Sequence, residues 1–284
     1  MRQDASSANR VWFITGASRG FGRALCEAVL ARGQHLVATA RSPEFVSEFG
    51  ESHPESLALR LDVTDREQAE AAIAKATERF GRVDVVVNNA GYGHFGAIEE
   101  LTEEELRQQF EVNLFGVLNV TRAALPQLRA QRSGHIVQMS SLNGIEGMAG
   151  GGYYCATKFA VEGLSESLAA ELAHLGIGVT IVEPGPHRTE FAGERSARVA
   201  APIDDYAETV GAARDALAQM DGTQPGDPER AARAIIAAVD ADDPPVRLPL
   251  GEMALENIRA KLEGQLEELE AWRELSASSE LVTA

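Results

Sequence analysis

Short apolar, β-branched runs recur along the chain at Val11–Thr15, His35–Ala40, Leu57–Leu61, Val83–Val87, His135–Met139 and Val179–Val182, and stretches with helical spacing separate them. Strands that alternate with helices predict parallel pairing through crossover helices. A strand covered on both faces needs no polar side, which accounts for the nearly continuous run Val83-Asp84-Val85-Val86-Val87. The pattern predicts an α/β fold: a doubly wound, Rossmann-type, mainly parallel sheet with helices on both faces, in a single domain.

Helix starts agree with this alternation. Thr64-Asp65-Arg66-Glu67 and Thr102-Glu103-Glu104-Glu105 carry the Thr-x-x-Glu capping pattern, and Asp227-Pro228 reads as a cap followed by proline at the first helical position. Pro126 falls where the helical stretch after Thr102 is expected to kink or end. The expected organisation is a flexible N-terminus over residues 1–9 and a catalytic, cofactor-binding domain over 10–250. An amphipathic C-terminal helix over 251–275 and a frayed tail over 276–284 follow. The stretch Thr189–Gly226 is the least regular part of the second half and is read as a substrate-covering region. Leu255, Ile258, Leu262, Leu266, Leu269 and Trp272 form a helical stripe expected to dock on the protein's own body or on a second subunit.

Composition narrows the function. At 284 residues and 44% hydrophobic, the chain can bury one sizeable core. A net charge of −17 opposes nucleic acid and anionic membranes, whose approach would begin with repulsion. Cys26 and Cys155 are too few and too far apart for a disulfide framework or a metal site, so no metal is expected. With no signal-like or membrane-spanning apolar stretch, the expected location is cytoplasmic and no membrane partner is expected.

The first strand runs into Thr15-Gly16-Ala17-Ser18-Arg19-Gly20-Phe21-Gly22 and then into a helix reaching about Arg32. Glycines at this place allow a tight turn and let the backbone approach a pyrophosphate at the positive helix end, so the turn reads as a dinucleotide site. An NAD-specific site places an acid about 20 residues further on, at the end of the second strand. Here that place reads Ala38-Thr39-Ala40-Arg41-Ser42, without an acid. Arg41, with Arg19 in the turn, offers two guanidiniums to a 2′-phosphate, which points to NADP(H).

Tyr154 and Lys158 stand four apart at the start of a helical stretch running to about His174, hence on one face. An unperturbed phenol has a pKa of about 10, and a neighbouring ammonium lowers it, so the spacing suits a tuned acid/base. Ser140-Ser141 ends the fifth strand, Asn88-Asn89-Ala90-Gly91 ends the fourth, and Asn113 lies in the helical stretch after Thr102. His94, in a glycine-rich loop, reads as a solvated or capping residue, and Cys155 as a packed thiol. Glu146 and Met148 are placed equally well in the substrate pocket or on a surface loop.

In order and spacing from Val11 to about Thr189, the chain resembles the short-chain dehydrogenase/reductase family. Strings such as Gly152-Tyr153-Tyr154-Cys155-Ala156-Thr157-Lys158-Phe159-Ala160 and Pro184-Gly185-Pro186-His187-Arg188-Thr189 are similar to the branch of the 17β-hydroxysteroid dehydrogenases. The resemblance implies Tyr154 as general acid/base and Lys158 holding the nicotinamide ribose. It also implies Ser141, 13 residues before Tyr154, on the substrate oxygen, and Asn113 supporting a water that leads to Lys158. Beside the glycine turn already read as the phosphate site, with Gly16, Ser18, Arg19, Gly20, Phe21 and Gly22, it further implies Asp62 and Val63 at the adenine, and Asn89, Ala90 and Gly91 at the adenosine ribose. Pro184, Gly185, His187 and Thr189 fall at the carboxamide. His187 departs from the family, where an aliphatic or aromatic residue is usual. The implied activity interconverts a ketone or aldehyde with its alcohol, in a homodimer or homotetramer built on the helices containing Asn113 and Tyr154. The alternatives are a 3-oxoacyl thioester reductase and a non-catalytic cofactor sensor; an intact Asn113, Ser141, Tyr154 and Lys158 argues against the sensor.

Overall fold

The computed structural model describes residues 9–191, 197–199 and 201–280. Its strands are β1 (Val11–Ile14), β2 (His35–Ala40), β3 (Ser56–Arg60), β4 (Val85–Asn88), β5 (Gly93–Phe95), β6 (Gly134–Met139), β7 (Ile177–Pro184), β8 (Ala197–Val199) and β9 (Arg247–Leu250). Seven of them form one parallel sheet in the order β3-β2-β1-β4-β6-β7-β9, and β5 pairs with β8 apart from it. The helices are α1 (Gly20–Ala31), α2 (Ser47–Ser52), α3 (Arg66–Phe80), α4 (Glu103–Phe110), α5 (Gly116–Gln131), α6 (Gly152–Leu172), α7 (Ala212–Met220), α8 (Pro228–Val239), α9 (Glu252–Ala271) and α10 (Arg273–Ala277). The expected doubly wound sheet is the fold observed.

Side-chain alternation along each strand builds two cores. In β1, Trp12 and Ile14 pack with Leu25 and Val29 of α1 and Ile235 of α8, while Val11 and Phe13 pack with Ile73 of α3, Val120 of α5 and Leu168 of α6. Each such side chain taken fully out of water contributes roughly 1.5–3 kcal/mol. The chain leaves β1 toward β2 on one side and reaches β4 on the other. The crevice at the carboxyl ends of β1 and β4 is therefore the place where an open α/β sheet receives a ligand.

Several boundaries depart from expectation. The cap of α3 is Asp65, whose carboxylate accepts from the Gln68 N–H, while Thr64 turns back to donate to Asp62. An Asp at the cap satisfies the same orphan donor as a Thr, so the two compete and the local turn decides. At α4 the Thr102/Glu105 box forms as expected, and Asp227 with Pro228 starts α8. Pro126 does not end its helix, because α5 runs on to Gln131. Val120, Ala124 and Leu128 remain buried on either side of it, and this continuous apolar face outweighs one missing hydrogen bond. The edge strand β9 escapes the hydrophobic pattern: it is short and contains Pro249, which a sheet tolerates at an edge.

The stretch Thr189–Gly226 is more ordered than its sequence suggests, since helical turns from Asp204 lead into the alanine-rich α7. Residues 192–196 and 200 of that stretch lie outside the described residues, as do 1–8 of the N-terminus and 281–284 of the tail. Helix continues into the tail as far as Ala277. The C-terminal stripe covers its own body only at its start: Ile258 packs near Leu142 and Ala254, whereas Leu262, Leu266, Leu269 and Trp272 are 54–60% exposed. Docking on the chain's own body is thus corrected for most of the stripe.

Candidate active site

Threonine 15, at the end of β1, organises the crevice. Its hydroxyl donates to the Val87 carbonyl and accepts from the backbone N–H groups of Asn89 and Ala90. The Asn89 amide then donates to the carbonyls of Thr15 and Gly16, tying the end of β4 to the glycine turn. Gly16 (φ 64°) and Gly20 (φ 53°) take the left-handed backbone that a side chain resists. At Gly22 a Cβ would lie 2.3 Å from the Gly16 carbonyl oxygen, so the first turn of α1 packs directly on backbone.

No acidic residue stands in that first turn, and Arg19 at the cap makes no side-chain capping bond. The start of α1 lines a cavity of about 1080 Å³, with the carboxylate of Glu190 nearby, 4.0 Å from where a Gly20 Cβ would stand. Its wall includes Gly16, Ser18, Arg19, Gly20, Phe21 and Arg41, then Asp62 and Val63 after β3, and Asn89, Ala90 and Gly91 after β4. Pro184, Gly185, His187 and Thr189 close its far side. Of the cofactor residues expected from sequence, Gly22 alone lies off this wall, and its role is the close packing just described. A glycine cradle, a helix N-terminus and two guanidiniums around one crevice fit a dinucleotide.

Of the catalytic candidates, Ser141, Tyr154 and Lys158 line the same cavity, while Asn113 lies off its wall, behind Gly91. Tyr154 and Lys158, on the first turns of α6, are both buried, and the Lys158 ammonium lies 5.8 Å from the Tyr154 ring centroid. Lys158 Nζ donates to the Met139 carbonyl at 2.7 Å, which pins it at the end of β6. Ser141, two residues on, accepts from the Asn143 N–H, and its hydroxyl also reaches Tyr154. Asn113 sits in a π-helical turn (Glu111–Phe115) between α4 and α5, a local widening that often marks functional sites. Its amide donates to the Tyr92 carbonyl and to Thr157, and its carbonyl oxygen accepts from the Tyr92 N–H.

Burial dominates the electrostatics here. It pushes the Tyr154 phenol up to about 12, against the lowering effect of the Ser141 hydroxyl, and brings Lys158 down to about 8, against the raising effect of Glu162. The simple expectation that Lys158 acidifies Tyr154 is therefore not met in the chain by itself. Desolvation is the largest influence on both groups.

Other readings are settled by packing. His187 lines the cavity, yet its ring lies against Phe21 at 5.0 Å between centroids, with Nδ1 2.9 Å from the Gly185 carbonyl oxygen. His94 is fully buried rather than solvated, on β5 beside Tyr92. Cys155 is a packed thiol, pushed up by burial. Glu146 and Met148 do line the cavity. The sequence reading missed Phe95, Phe191 and Leu217, which gather around Tyr154 with ring centroids 5.4–5.8 Å away for the two phenylalanines. They come from β5, the Thr189–Gly226 stretch and α7, so no local pattern announces them.

With this geometry in view, comparison with known proteins is specific. Residues 10–200 match the family model described as short chain dehydrogenase. A short-chain dehydrogenase from Streptomyces avermitilis is 44% identical, with a TM-score of 0.89 over 95% of this chain and all of that one. A short chain dehydrogenase/reductase from Burkholderia phymatum, in complex with NAD, is 27% identical with a TM-score of 0.80, covering 90% and 95% of the two chains. An alcohol dehydrogenase from Thermococcus sibiricus, complexed with 5-hydroxy-NADP, is 30% identical with a TM-score of 0.70, covering 85% and 96%.

Proposed function

The chain belongs to the short-chain dehydrogenase/reductase family of oxidoreductases, and from that premise we propose that it is an NADP(H)-dependent enzyme interconverting a ketone or aldehyde with its alcohol. The observation that carries this reading is the meeting of Tyr154, Ser141 and Lys158 at a cavity whose other wall is a dinucleotide cradle. When bound, the reduced nicotinamide supplies the hydride.

The chain's own residues supply orientation and the proton. Ser141 and Tyr154 hydrogen-bond the carbonyl oxygen, and their donors strengthen as negative charge develops on it. With its phenol pushed up to about 12, Tyr154 is protonated at neutral pH and is a ready donor in the reductive direction. In the oxidative direction the phenolate needs a cation beside it, which the Lys158 ammonium provides. Because Lys158 sits near 8, that cation is lost as pH rises through about 8. Asn113 holds the Tyr92 backbone and Thr157 of α6 in place, which fixes the base of the same helix turn. Phe95, Phe191 and Leu217 make the wall beside Tyr154 apolar, so the carbonyl carbon carries an apolar substituent on that side.

NADP(H) preference rests on Arg41 and Arg19, both at the cavity wall, and on the lack of an acid at the end of β2. NADPH is expected to exceed NADH by at least about tenfold in kcat/KM, about 1.4 kcal/mol. Arg41→Ala should remove most of that preference while leaving NADH use nearly unchanged. Steady-state kinetics with both cofactors checks this, and equal use of the two by the wild-type protein would contradict it. A homodimer or homotetramer in the cytoplasm completes the proposal; the exposed stripe of α9 supports assembly, and no helix among the described residues is long and apolar enough to cross a membrane.

A further inference from the structure

Behind the catalytic face lies a charged cluster that the proposed chemistry does not use. Glu162 on α6 and Glu183 on β7 are 4% and 1% exposed. Arg247 on β9 bridges them, with Nη1 2.6 Å from Glu183 Oε1 and also bonded to Glu162, while its Nη2 lies 2.7 Å from the exposed Glu166. Burial by itself would lower Arg247, but the hydrogen bonds and charges of these carboxylates outweigh it and hold it raised.

Glu162 follows Lys158 by one helical turn, on the same face of α6. The two are also joined through β6. Lys158 donates to the carbonyl of Met139, and the hydroxyl of the next residue, Ser140, lies against the Gly144 Cα together with Glu162 Oε1. A Cβ at Gly144 would stand 2.5 Å from one of these oxygens and 2.9 Å from the other. Among the described residues neither buried oxygen has a hydrogen-bond partner within ordinary geometry, and the nearby Ser140 hydroxyl favours the ionised form of Glu162. The adjacent serines thus divide their work: Ser141 faces Tyr154, and Ser140 faces Glu162.

We propose that Glu162 is a positioning residue, the buried counter-ion that keeps the Lys158 ammonium charged, and that Arg247 keeps Glu162 ionised in turn. Burying a lone ammonium is costly, whereas an anion one turn away in the same low-dielectric layer offsets much of that cost. Buried Lys158 and half-buried Arg247 stand opposite the buried Glu162 and Glu183, two charges of each sign. The other titratable groups around Lys158 are Tyr154 and Cys155 on its own helix; β6 and the Asn113 turn present only uncharged groups, namely the Met139 carbonyl, Ser140, Ser141 and Asn113. Burial, and the neighbouring Glu183, raise Glu162; Ser140 and Arg247 act the other way, toward the ionised form, without cancelling the rise. Lys158 in turn is lowered by burial and raised by Glu162.

This inference rests on the assignment of Lys158 to the catalytic site, but its test needs neither cofactor nor turnover. The chain has three lysines, Lys75, Lys158 and Lys261, so protein grown on ε-¹³C-lysine gives three NMR signals, with Lys158 assigned by its loss in Lys158→Met. In the wild-type protein its titration midpoint should fall near 8. Glu162→Gln should shift it down by about one pH unit. Glu162→Asp should restore it, and Glu166→Gln, which touches only the outer side of Arg247, should leave it in place. Arg247 keeps Glu183 and Glu166 in Glu162→Gln, so Lys158 alone loses its counter-ion; Glu162→Met is the second neutral variant should the amide not be accommodated. A Lys158 midpoint unmoved or raised in the neutral variant overturns the counter-ion and leaves the redox assignment standing. Absence of turnover in the wild-type protein would do the reverse.

Discussion

Tyr154→Phe is expected to lower kcat by about 100-fold or more while leaving NADPH affinity within about twofold of wild type. The ring is 6% exposed and held between Phe95 and Phe191, so a phenylalanine fills the same space and no cavity opens beneath it. What disappears is the hydroxyl that meets Ser141 and, in the proposed reaction, carries the transferable proton. Tyr153→Phe is the internal control. Its hydroxyl turns away from the site and donates to the Ile98 carbonyl at 2.8 Å, so it should cost less than about twofold in kcat. Turnover kinetics paired with NADPH fluorescence titration separates the two effects. Loss of activity in the Tyr153 variant with retention in the Tyr154 variant would transfer the role to the wrong neighbour and end the assignment.

Gly22→Ala should be the most damaging conservative change in the cofactor cradle. Its Cβ would sit 2.3 Å from the Gly16 carbonyl oxygen and 2.6 Å from the Asn89 amide nitrogen. The first of these is backbone and cannot swing aside. Either the turn or the start of α1 must move, and both line the cavity. NADPH affinity should fall by at least about tenfold, with a stability loss of about 1–3 kcal/mol from overpacking. Gly163→Ala, in the middle of α6 where an added Cβ would meet nothing within 4 Å, should instead gain about 0.5–1 kcal/mol and leave cofactor binding unchanged. Binding titrations and thermal melts of the two variants check the pair; an undiminished NADPH affinity in Gly22→Ala would mean that the turn is not the cofactor's seat.

How much of this was legible in the sequence follows from where each signal resides. Buried parallel strands announce themselves as local apolar runs, so β1, β2, β3, β4, β6 and β7 were readable, whereas β9, with four residues and a proline, and the small β5–β8 pair were not. The glycine turn and the Tyr154–Lys158 pair are also local, set by short spacings on one turn or one helix face. Thr15 was not legible as the hub joining β1 to β4, because its hydroxyl bonds span more than 70 residues of chain. The same holds for the Glu162–Glu183–Arg247 cluster and for the Phe95–Phe191–Leu217 wall, each assembled from elements distant in sequence. The stripe on α9 is legible as amphipathic and helical, but among the described residues nothing buries it beyond Ile258. Electrostatics was the least legible layer: the i, i+4 spacing suggested that Lys158 acidifies Tyr154, and only burial reveals that desolvation dominates both.

The central claim is direct hydride transfer between NADPH and a carbonyl held by Tyr154. Its most direct measurement uses NADPH deuterated at the transferable C4 position, incubated with the protein and a panel of steroid, retinoid, aromatic and sugar carbonyls and acyl thioesters, with products read by mass spectrometry. The account predicts an alcohol carrying one deuterium on its carbinol carbon with the wild-type protein, and at most about one hundredth of that rate with Tyr154→Phe. Tight NADPH binding with no deuterium delivered to any member of the panel would contradict it.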